Sequence, residues 1–321
     1  MASILIPTWN NLPYLKLCVE NIRKASRNDH EILIHVNDGA DGTLQWVREQ
    51  GLKHSYSQTN MGVCLSVNHL AAQASHEWLV YMNDDMVCCP GWDTALFDTI
   101  RAAGTDFGLF FPTLIEPQDT GNPLVLVRDF GRTPETFREE EMRAHCQWES
   151  RGDRDGVAGQ PTVVHRRWWH LVGGYSIEYG PGLSSDDDLL MKFWTIGCRL
   201  FRTVDASRLY HFSCTSTGRV RRNRGGRTFV MKWGITQQEF ARDYLARAGL
   251  AQPAIGATGS ATDDFPSATT RGRSRRVYYG LGNYPLGDLR NWDPTPARYL
   301  TTEPPHAAAA ASLKPEPTND D

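Results

Sequence analysis

Residues 78–86 read Trp-Leu-Val-Tyr-Met-Asn-Asp-Asp-Met, an apolar run that ends abruptly in one amide and two carboxylates. A short apolar run closed by a turn signal is typical of a fully buried strand, so we predict a strand over 78–82. Asn83, Asp84 and Asp85 then lie just beyond the carboxyl end of that strand. A strand that is apolar along its whole length is typical of a sheet with helices on both faces.

Two earlier segments repeat the pattern of a strand followed by a loop and a helix. Residues 3–6 form a short, mostly apolar run that ends at Pro7, and a helical apolar pattern follows over 15–22. Residues 31–36 favour a strand, and residues 43–49 favour a helix. This alternation predicts the α/β class, with a mostly parallel central sheet flanked by helices.

Polar loops follow three of the predicted strands, at residues 7–8, 37–38 and 83–85. In open α/β sheets, ligands bind in the crevice beyond the carboxyl ends of the strands. We therefore expect the three loops to converge on one cleft.

The second half of the chain is less regular. Residues 116–159 are polar and irregular, and we interpret them as an insertion. Regular structure resumes at an acidic cluster, 186–188, which precedes a helix ended by Gly197. A last predicted strand near 200–204 comes before His211.

The composition changes at about residue 250. We expect residues 1–250 to form the folded domain. Residues 251–321 are rich in Ala, Pro, Gly, Ser and Thr, which predicts a low-complexity, largely disordered tail. Aromatic residues such as Tyr278 and Trp292 depart from that composition and indicate docking on the domain or on a partner.

Charge and sequence patterning exclude several classes of protein. The formal net charge is -3, so the chain lacks the positive field that non-specific nucleic-acid binding needs. No basic region precedes a signal-like apolar stretch, and no segment is apolar for the roughly 18 residues of a membrane-spanning helix. The seven cysteines show no CxxC spacing, so we interpret them as reduced thiols. We expect no nucleic-acid partner, no transmembrane segment and a cytoplasmic location.

The carboxylates of Asp84 and Asp85 suit a divalent cation. Mg²⁺ or Mn²⁺ held by one or two carboxylates can bridge the phosphates of a nucleoside diphosphate and stabilise that leaving group. An acidic turn or a helix cap explains two adjacent aspartates equally well. His211 offers an imidazole that could complete a Mn²⁺ site with Asp85, although a lone histidine is more often a core residue.

Asp186 and Asp188 directly precede a predicted helix. A transfer reaction that activates an acceptor hydroxyl needs a base, and a carboxylate in the cleft fits that role. The helix dipole alone also favours carboxylates at this position. Both interpretations stay open from the residues alone.

A Gly-rich stretch over 220–226 suggests a flexible segment that closes over a pyrophosphate. A solvated basic loop is the alternative. The arginines around this stretch are Arg219, Arg221, Arg222, Arg224 and Arg227.

A series of short motifs resembles glycosyltransferase family two. Its members have the GT-A fold, and the resemblance covers roughly residues 3–249. The motifs, in order, are Ile6-Pro7-Thr8-Trp9-Asn10, Val36-Asn37-Asp38-Gly39 with Asp41-Gly42-Thr43, Asn60-Met61-Gly62, Asn83-Asp84-Asp85, Gly173-Gly174-Tyr175, Asp186 with Asp188-Leu189, and Gly197.

The resemblance implies a metal-dependent, inverting glycosyltransferase of the hexosyltransferase type, EC 2.4, working in polysaccharide biosynthesis. Residues 1–115 would bind the nucleotide-sugar, and residues 116–250 would bind the acceptor. The donor would be a UDP-, GDP- or dTDP-sugar, and the acceptor a glycan or a lipid-linked glycan. The cofactor would be Mn²⁺ or Mg²⁺.

The resemblance also implies roles for individual residues. Asp85 would bind the metal together with His211, and Asp186 would be the catalytic base. Ser185 replaces the glutamate that family members often carry, and Asn83 replaces the first acidic residue of the metal motif. The residues implied in binding the donor are Pro7, Thr8, Trp9, Asp38, Asn60, Gly62, Asn83 and Asp84.

Two other classes of protein compete with this interpretation. A nucleotidyltransferase also uses paired carboxylates and Mg²⁺, but it typically has a Gly-rich basic loop after its first strand, and residues 7–11 contain no glycine. A non-catalytic carbohydrate-binding protein would not need Asp85, His211 and Asp186 together.

Overall fold

A computed structural model describes residues 1–146, 151–213, 224–245 and 270–280. Within these ranges the chain builds one central sheet of ten strands. The strands are β1 (Ser3–Trp9), β2 (Glu31–Asn37), β3 (Lys53–Ser57), β4 (Trp78–Tyr81), β5 (Met86–Cys88), β6 (Leu109–Glu116), β7 (Leu126–Val127), β8 (Arg154–Asp155), β9 (Thr162–His165) and β10 (Phe201–His211).

Helices connect most of these strands. No helix in the described ranges combines the length and the apolar character needed to cross a membrane. The α-helices are α1 (Leu12–Ala25), α2 (Thr43–Glu49), α3 (Gly62–Gln73), α4 (Trp92–Ala102), α5 (Glu139–His145), α6 (Arg166–Leu171), α7 (Ser185–Thr195), α8 (Gly225–Trp233), α9 (Gln237–Asp243) and α10 (Thr270–Gly280).

The main strand order is β3-β2-β1-β4-β9-β6-β10-β5, with β7 beside β6 and β8 beside β10. The half from β3 to β4 is parallel. Strand β9 runs antiparallel to both of its neighbours, and β5 runs antiparallel to β10. The carboxyl ends of β1, β2 and β4 therefore meet at one edge of the sheet.

Apolar side chains cover both faces of the sheet. Successive side chains of a strand point to opposite faces, and in β1 the side chains of Ile4 and Ile6 join one buried cluster while Leu5 joins the other. Helices α1 and α4 contribute to the first cluster, and α3, α6 and α7 to the second. Such helix–sheet–helix layering confirms the predicted α/β class with its central, helix-flanked sheet.

The segment predicted as an insertion carries structure of its own. A third buried cluster forms where Phe130 and Met142 of this segment pack against Tyr210 and Phe212 of the β10 end. The Tyr210 hydroxyl donates a hydrogen bond of 2.6 Å to the Gly131 carbonyl. This packing ties the segment to the strand end that carries His211.

The cysteines include one bonded pair. Cys89 and Cys146 form a disulfide, with their Cα atoms 5.8 Å apart. The prediction that all cysteines are reduced thiols is wrong for this pair, because the fold joins residues whose sequence separation of 57 gives no spacing signal. In the described ranges the other cysteines are buried free thiols.

Part of the predicted tail packs on the domain. Helix α10 contacts α8, and the Arg275 guanidinium pairs with the buried carboxylate of Glu239 at the start of α9. The Arg276 Nε atom donates 2.8 Å to the Met231 carbonyl near the end of α8. The rest of residues 251–321 lies outside the described ranges.

We expect a chain that ends at residue 250 to keep a folded domain and to melt cooperatively at a lower temperature. The three buried clusters lie within residues 2–245, whereas truncation removes the Arg275 partner of Glu239. Each kcal/mol lost should lower Tm by about 2–4 °C. Calorimetry on the shortened chain, with full-length Arg275→Ala as the control, measures this. A broad, non-cooperative transition would show that the tail belongs to the folded unit.

Candidate functional site

A cavity of about 450 Å³ lies beyond the carboxyl ends of β1, β2 and β4. Small-molecule sites typically occupy about 300–1,000 Å³, so its size suits a ligand of that class. Every site residue predicted from the sequence lines it, except Asp38. The lining is Pro7, Thr8, Trp9, Asn37, Asn60, Gly62, Val63, Tyr81, Asn83, Asp84, Asp85, Gln160, Pro181, Gly182, Leu183, Ser184, Asp186, His211 and Ser213.

Asp84 fastens the loops of the cleft to each other. Its carboxylate accepts hydrogen bonds from Thr8 Oγ1 at 2.6 Å and from Asn11 Nδ2 at 3.0 Å, and its side chain is buried. The loop after β4 is thereby bound to the loop after β1. Asp84 thus holds the two loops of the cleft together by hydrogen bonds within the protein.

Strand pairing brings Asp85 and His211 together. Met86 of β5 is the antiparallel partner of His211 in β10, and the Phe212 amide donates 3.1 Å to the Asp85 carbonyl. The His211 Nε2 atom lies 3.4 Å from Asp85 Oδ1. Residues 126 positions apart in sequence therefore present a carboxylate and an imidazole to one point of the cavity.

His211 sits between two carboxylates. Burial opposes its charge, but the neighbouring charges and hydrogen bonds of Asp85 and Glu116 outweigh burial and raise the pKa of His211 to about 10. The ring therefore carries a proton on each nitrogen when it has no other ligand. His211 must give up its Nε2 proton before that nitrogen can bind a cation.

The donor set of Asp85 and His211 fits a divalent cation. Mn²⁺ accepts both carboxylate and imidazole ligands, and cations of this kind commonly use one or two protein groups and complete their shell with water and substrate phosphates. Across the described ranges, no three His, Cys, Asp or Glu side chains form a ready-made metal cage. A cation held here would therefore depend on oxygen atoms from a bound ligand.

Asp186 lines the same cavity from the first turn of α7. Its side chain is exposed to the cleft, but protein surrounds it on the other sides. This desolvation raises the pKa of Asp186, while hydrogen bonds from Tyr175 and Gln160 act in the opposite direction. The Tyr175 hydroxyl donates 2.6 Å to Asp186 Oδ1. A carboxylate with a raised pKa that faces a cavity suits a general base.

The two neighbouring aspartates have different surroundings. Asp188 is fully buried, accepts 2.6 Å from Ser176 Oγ and 2.8 Å from Trp233 Nε1, and so joins α7 to α8. Asp187 is bonded to Gln237, and burial, opposed by that bond, raises the pKa of Asp187 to about 6. Of the three carboxylates, Asp186 is the one that lines the cavity.

Asp38 is the predicted binding residue that the structure does not bring to the cleft. Its backbone is in the left-handed region, at φ 64°, and its carboxylate accepts 2.8 Å from Asn10 Nδ2. Asn37 lines the cavity in its place. The Asn37 Oδ1 atom accepts 2.9 Å from the Met61 amide, which holds the loop before α3 against β2.

Gly62 is placed where a side chain has no room. Its φ is +79°, and a Cβ atom there would lie 2.6 Å from Pro181 Cα. The Val63 amide donates 2.8 Å to the Pro181 carbonyl across the same approach. The absence of a side chain at residue 62 lets the two walls of the cleft meet.

Several cleft residues carried no recognisable signal in the sequence. Gln160 falls just after the irregular stretch 116–159, and Tyr81 belongs to an apolar strand. Glu116, which bonds His211 from behind the cavity, was read as the start of that irregular stretch. Tyr175 and Asn37 belong to motifs of the family resemblance, but neither had a role attached to it.

The Gly-rich basic stretch falls partly outside the described residues. Arg219, Arg221 and Arg222 are among those not described. Gly225 begins α8, so this end of the stretch is helical. The predicted closure over a pyrophosphate stays a prediction.

Comparison with known proteins extends this picture. Residues 3–154 match the family model described as glycosyl transferase family 2. No curated protein matches the sequence significantly.

Solved structures with similar folds include GalNAc-T7 with UDP, GalNAc and Mn²⁺. The two proteins are 15% identical with a TM-score of 0.51, and the match covers 88% of this chain and 58% of the GalNAc-T7 chain. This chain therefore spans well under two thirds of GalNAc-T7. S. aureus TarS 1–349 in complex with UDP is also similar, at 13% identity and a TM-score of 0.51 over 88% of this chain and 92% of that chain. Residues 3–154 are thus similar to glycosyl transferase family 2, and the chain has the fold of the GT-A glycosyltransferases.

Proposed function

We propose that this protein is a metal-dependent, inverting glycosyltransferase of the hexosyltransferase type. It transfers a sugar from a nucleoside diphosphate donor to a glycan or lipid-linked glycan. One observation carries the proposal: a single cavity is lined by Asp85, His211 and Asp186 together. The family match over residues 3–154 and the UDP-bound neighbours support the same class of donor.

The donor occupies the wall formed by the loops after β1, β2 and β4. Asp85 and His211 would hold the cation, and the hydrogen bond from Thr8 to Asp84 fixes the loop that carries Asp85. When bound, Mn²⁺ or Mg²⁺ neutralises the charge that develops on the departing diphosphate. The nucleoside lies against Pro7, Thr8, Trp9, Asn37, Asn60 and Gly62.

The acceptor approaches from the α7 side. Asp186 accepts the proton of the acceptor hydroxyl while the oxygen of that hydroxyl attacks the anomeric carbon. The bond between the anomeric carbon and the diphosphate oxygen breaks at the same time. Tyr175 and Gln160 orient the carboxylate. Direct attack in one displacement inverts the anomeric centre and needs no enzyme nucleophile.

The cellular setting belongs to the proposal as well. Polysaccharide biosynthesis is the expectation from the family resemblance, and a cytoplasmic location is the expectation from the sequence patterning. The Cys89–Cys146 disulfide weighs against a cytoplasmic location, because disulfides are rare in that compartment.

Donor turnover tests the proposed activity without knowledge of the acceptor, since water can replace it. The full chain is incubated with Mn²⁺ and with UDP-, GDP- and dTDP-sugars, and the released products are followed by NMR. We expect a free nucleoside diphosphate and a sugar whose first-formed anomer is opposite to that of the donor. Retained configuration would reject inversion. Pyrophosphate release from a nucleoside triphosphate and a sugar phosphate would identify a nucleotidyltransferase, and binding without turnover would favour a carbohydrate-binding protein.

We expect Tyr175→Phe to move the acidic limb of the kcat/KM profile to higher pH. Activity requires ionised Asp186, so the rate falls as pH drops through the pKa of that carboxyl. The Tyr175 hydrogen bond stabilises the ionised form and lowers this pKa, so its loss raises the pKa. A bond to a charged group contributes about 1.5–3 kcal/mol, which corresponds to a shift of about one to two pH units.

Tyr244→Phe is the matched control, because Tyr244 packs against Trp194 and Phe240 away from the cavity lining. Its acidic limb should coincide with that of the wild type. An unchanged limb in Tyr175→Phe would mean that Tyr175 does not act on the ionisation that controls the rate.

A further inference from the structure

Glu116 lies directly behind the candidate metal ligand His211. It is the last residue of β6, and the parallel register that pairs Ile115 with Tyr210 brings the following residues of both strands side by side. Its side chain is only 8% exposed. A buried carboxylate is costly unless it is paired, so this position requires a partner.

The partner of Glu116 is the His211 ring. His211 Nδ1 donates to Glu116 Oε1 at 2.7 Å, a short distance for a charge-assisted bond. In the described part of the chain, the second oxygen, Oε2, is buried and has no hydrogen-bond partner. The side-chain hydrogen bond of Glu116 in this part of the chain is thus the one to the imidazole of His211.

The backbone around His211 is also fixed. The Phe212 amide donates to the Asp85 carbonyl at 3.1 Å, and the Tyr210 hydroxyl donates to the Gly131 carbonyl at 2.6 Å. The remaining freedom of the residue is the rotation of its ring. The Glu116 bond restricts that rotation and leaves Nε2 on the side of Asp85 and the cavity.

We propose that Glu116 is a positioning residue for the metal site, whose hydrogen bond to His211 Nδ1 fixes the ring so that Nε2 lies beside Asp85 at the cavity. This inference rests on the proposed metal-dependent function. Carboxylates that accept from the distal nitrogen of a ligating histidine orient the ring and raise its basicity. Changes in such outer residues typically lower metal affinity about 10–100-fold.

Mn²⁺ binding measures this role without an assay of turnover. Mn²⁺ is titrated into the full chain, alone and with UDP, while electron paramagnetic resonance reports the free ion. We expect Glu116→Leu to weaken Mn²⁺ binding about 10–100-fold. Glu116→Gln keeps a neutral acceptor for the Nδ1 proton, so it should restore part of that loss, to within about 10-fold of the wild type.

Asp93→Asn is the matched control. Asp93 is also a buried carboxylate bonded to a histidine, with Asp93 Oδ2 at 3.2 Å from His30 Nε2, but it does not line the cavity. Its substitution should lower Tm and leave Mn²⁺ affinity unchanged. If Asp93→Asn weakened Mn²⁺ binding as much as Glu116→Leu does, the role of Glu116 would be structural and the proposal would be overturned.

The remaining outcomes separate the two claims. Wild-type Mn²⁺ affinity in folded Glu116→Leu overturns the role of Glu116 and leaves the proposed function standing. If Glu116→Leu does not fold, Glu116→Ala takes its place, and wild-type affinity in folded Glu116→Ala overturns the role of Glu116 instead. Absence of Mn²⁺ binding by the wild type, alone and with UDP, overturns both the metal dependence and the role of Glu116.

Discussion

We expect Asp186→Asn to lower kcat by about 10²–10⁴-fold while donor affinity stays within a few-fold of the wild type. Asparagine keeps the size and most hydrogen bonds of the side chain but cannot accept the proton of the acceptor hydroxyl. The carboxylate lines the cavity from α7 and is not part of the Asp85–His211 pair, so its loss should affect the transfer step more than donor binding. Single-turnover rates, with donor affinity from calorimetry, separate the two effects.

Asp187→Asn is the control for Asp186→Asn. Asp187 has the same charge and lies on the same helix turn, but it is bonded to Gln237 and does not line the cavity. Its kcat should change far less. If Asp186 only interacted with the helix dipole, its substitution would cost about 0.3–1 kcal/mol of stability and turnover would survive. Near-normal kcat in folded Asp186→Asn would therefore reject the assignment of the base.

The second large effect is expected for Asp85→Ala, which should remove the metal dependence of nucleoside diphosphate binding. Asp85 is the carboxylate closest to His211 in the cavity, at 3.4 Å from Nε2. Loss of a direct ligand should exceed the about 10–100-fold that outer-shell substitutions cost. The fold should persist, because His211 keeps Glu116 as its partner.

Calorimetric titration of UDP with and without Mn²⁺ measures the effect of Asp85→Ala. The control is Asp98→Ala on α4, an exposed aspartate that pairs with Arg101 outside the cavity. We expect wild-type binding in the control. Mn²⁺-dependent affinity that persists in Asp85→Ala would exclude Asp85 as the ligand.

The strand ends were predictable because their chemistry is local. An apolar run that stops at Asn83 marks the carboxyl end of a strand, and the geometry of parallel sheets brings such ends together. The same reasoning placed Pro7, Thr8 and Asp84 in one cleft, where the structure has them. Alternation of strands and helices was sufficient for the fold class.

Residues whose position depends on pairing between distant strands were not predictable from the sequence. Glu116 reaches His211 because β6 and β10 run parallel, with a register shift between Val204 and Arg208 that ends up pairing Ile115 with Tyr210, and no spacing in the sequence encodes that pairing. Asp38 was assigned to the pocket by its motif, but a left-handed backbone directs its carboxylate to Asn10. Asn37, the last residue of β2, therefore lines the cavity, and the residue after it, Asp38, does not.

The most direct test of the central claim, that one cleft binds a nucleoside diphosphate through a cation held by Asp85 and His211, is calorimetric titration of the wild-type chain. UDP, GDP and dTDP are each titrated with Mn²⁺ and then with the metal removed by a chelator. We expect at least one of the three to bind with Mn²⁺ and to lose about 10-fold or more in affinity without it. Failure of all three to bind the folded protein, or equal affinity with and without Mn²⁺, would contradict the claim.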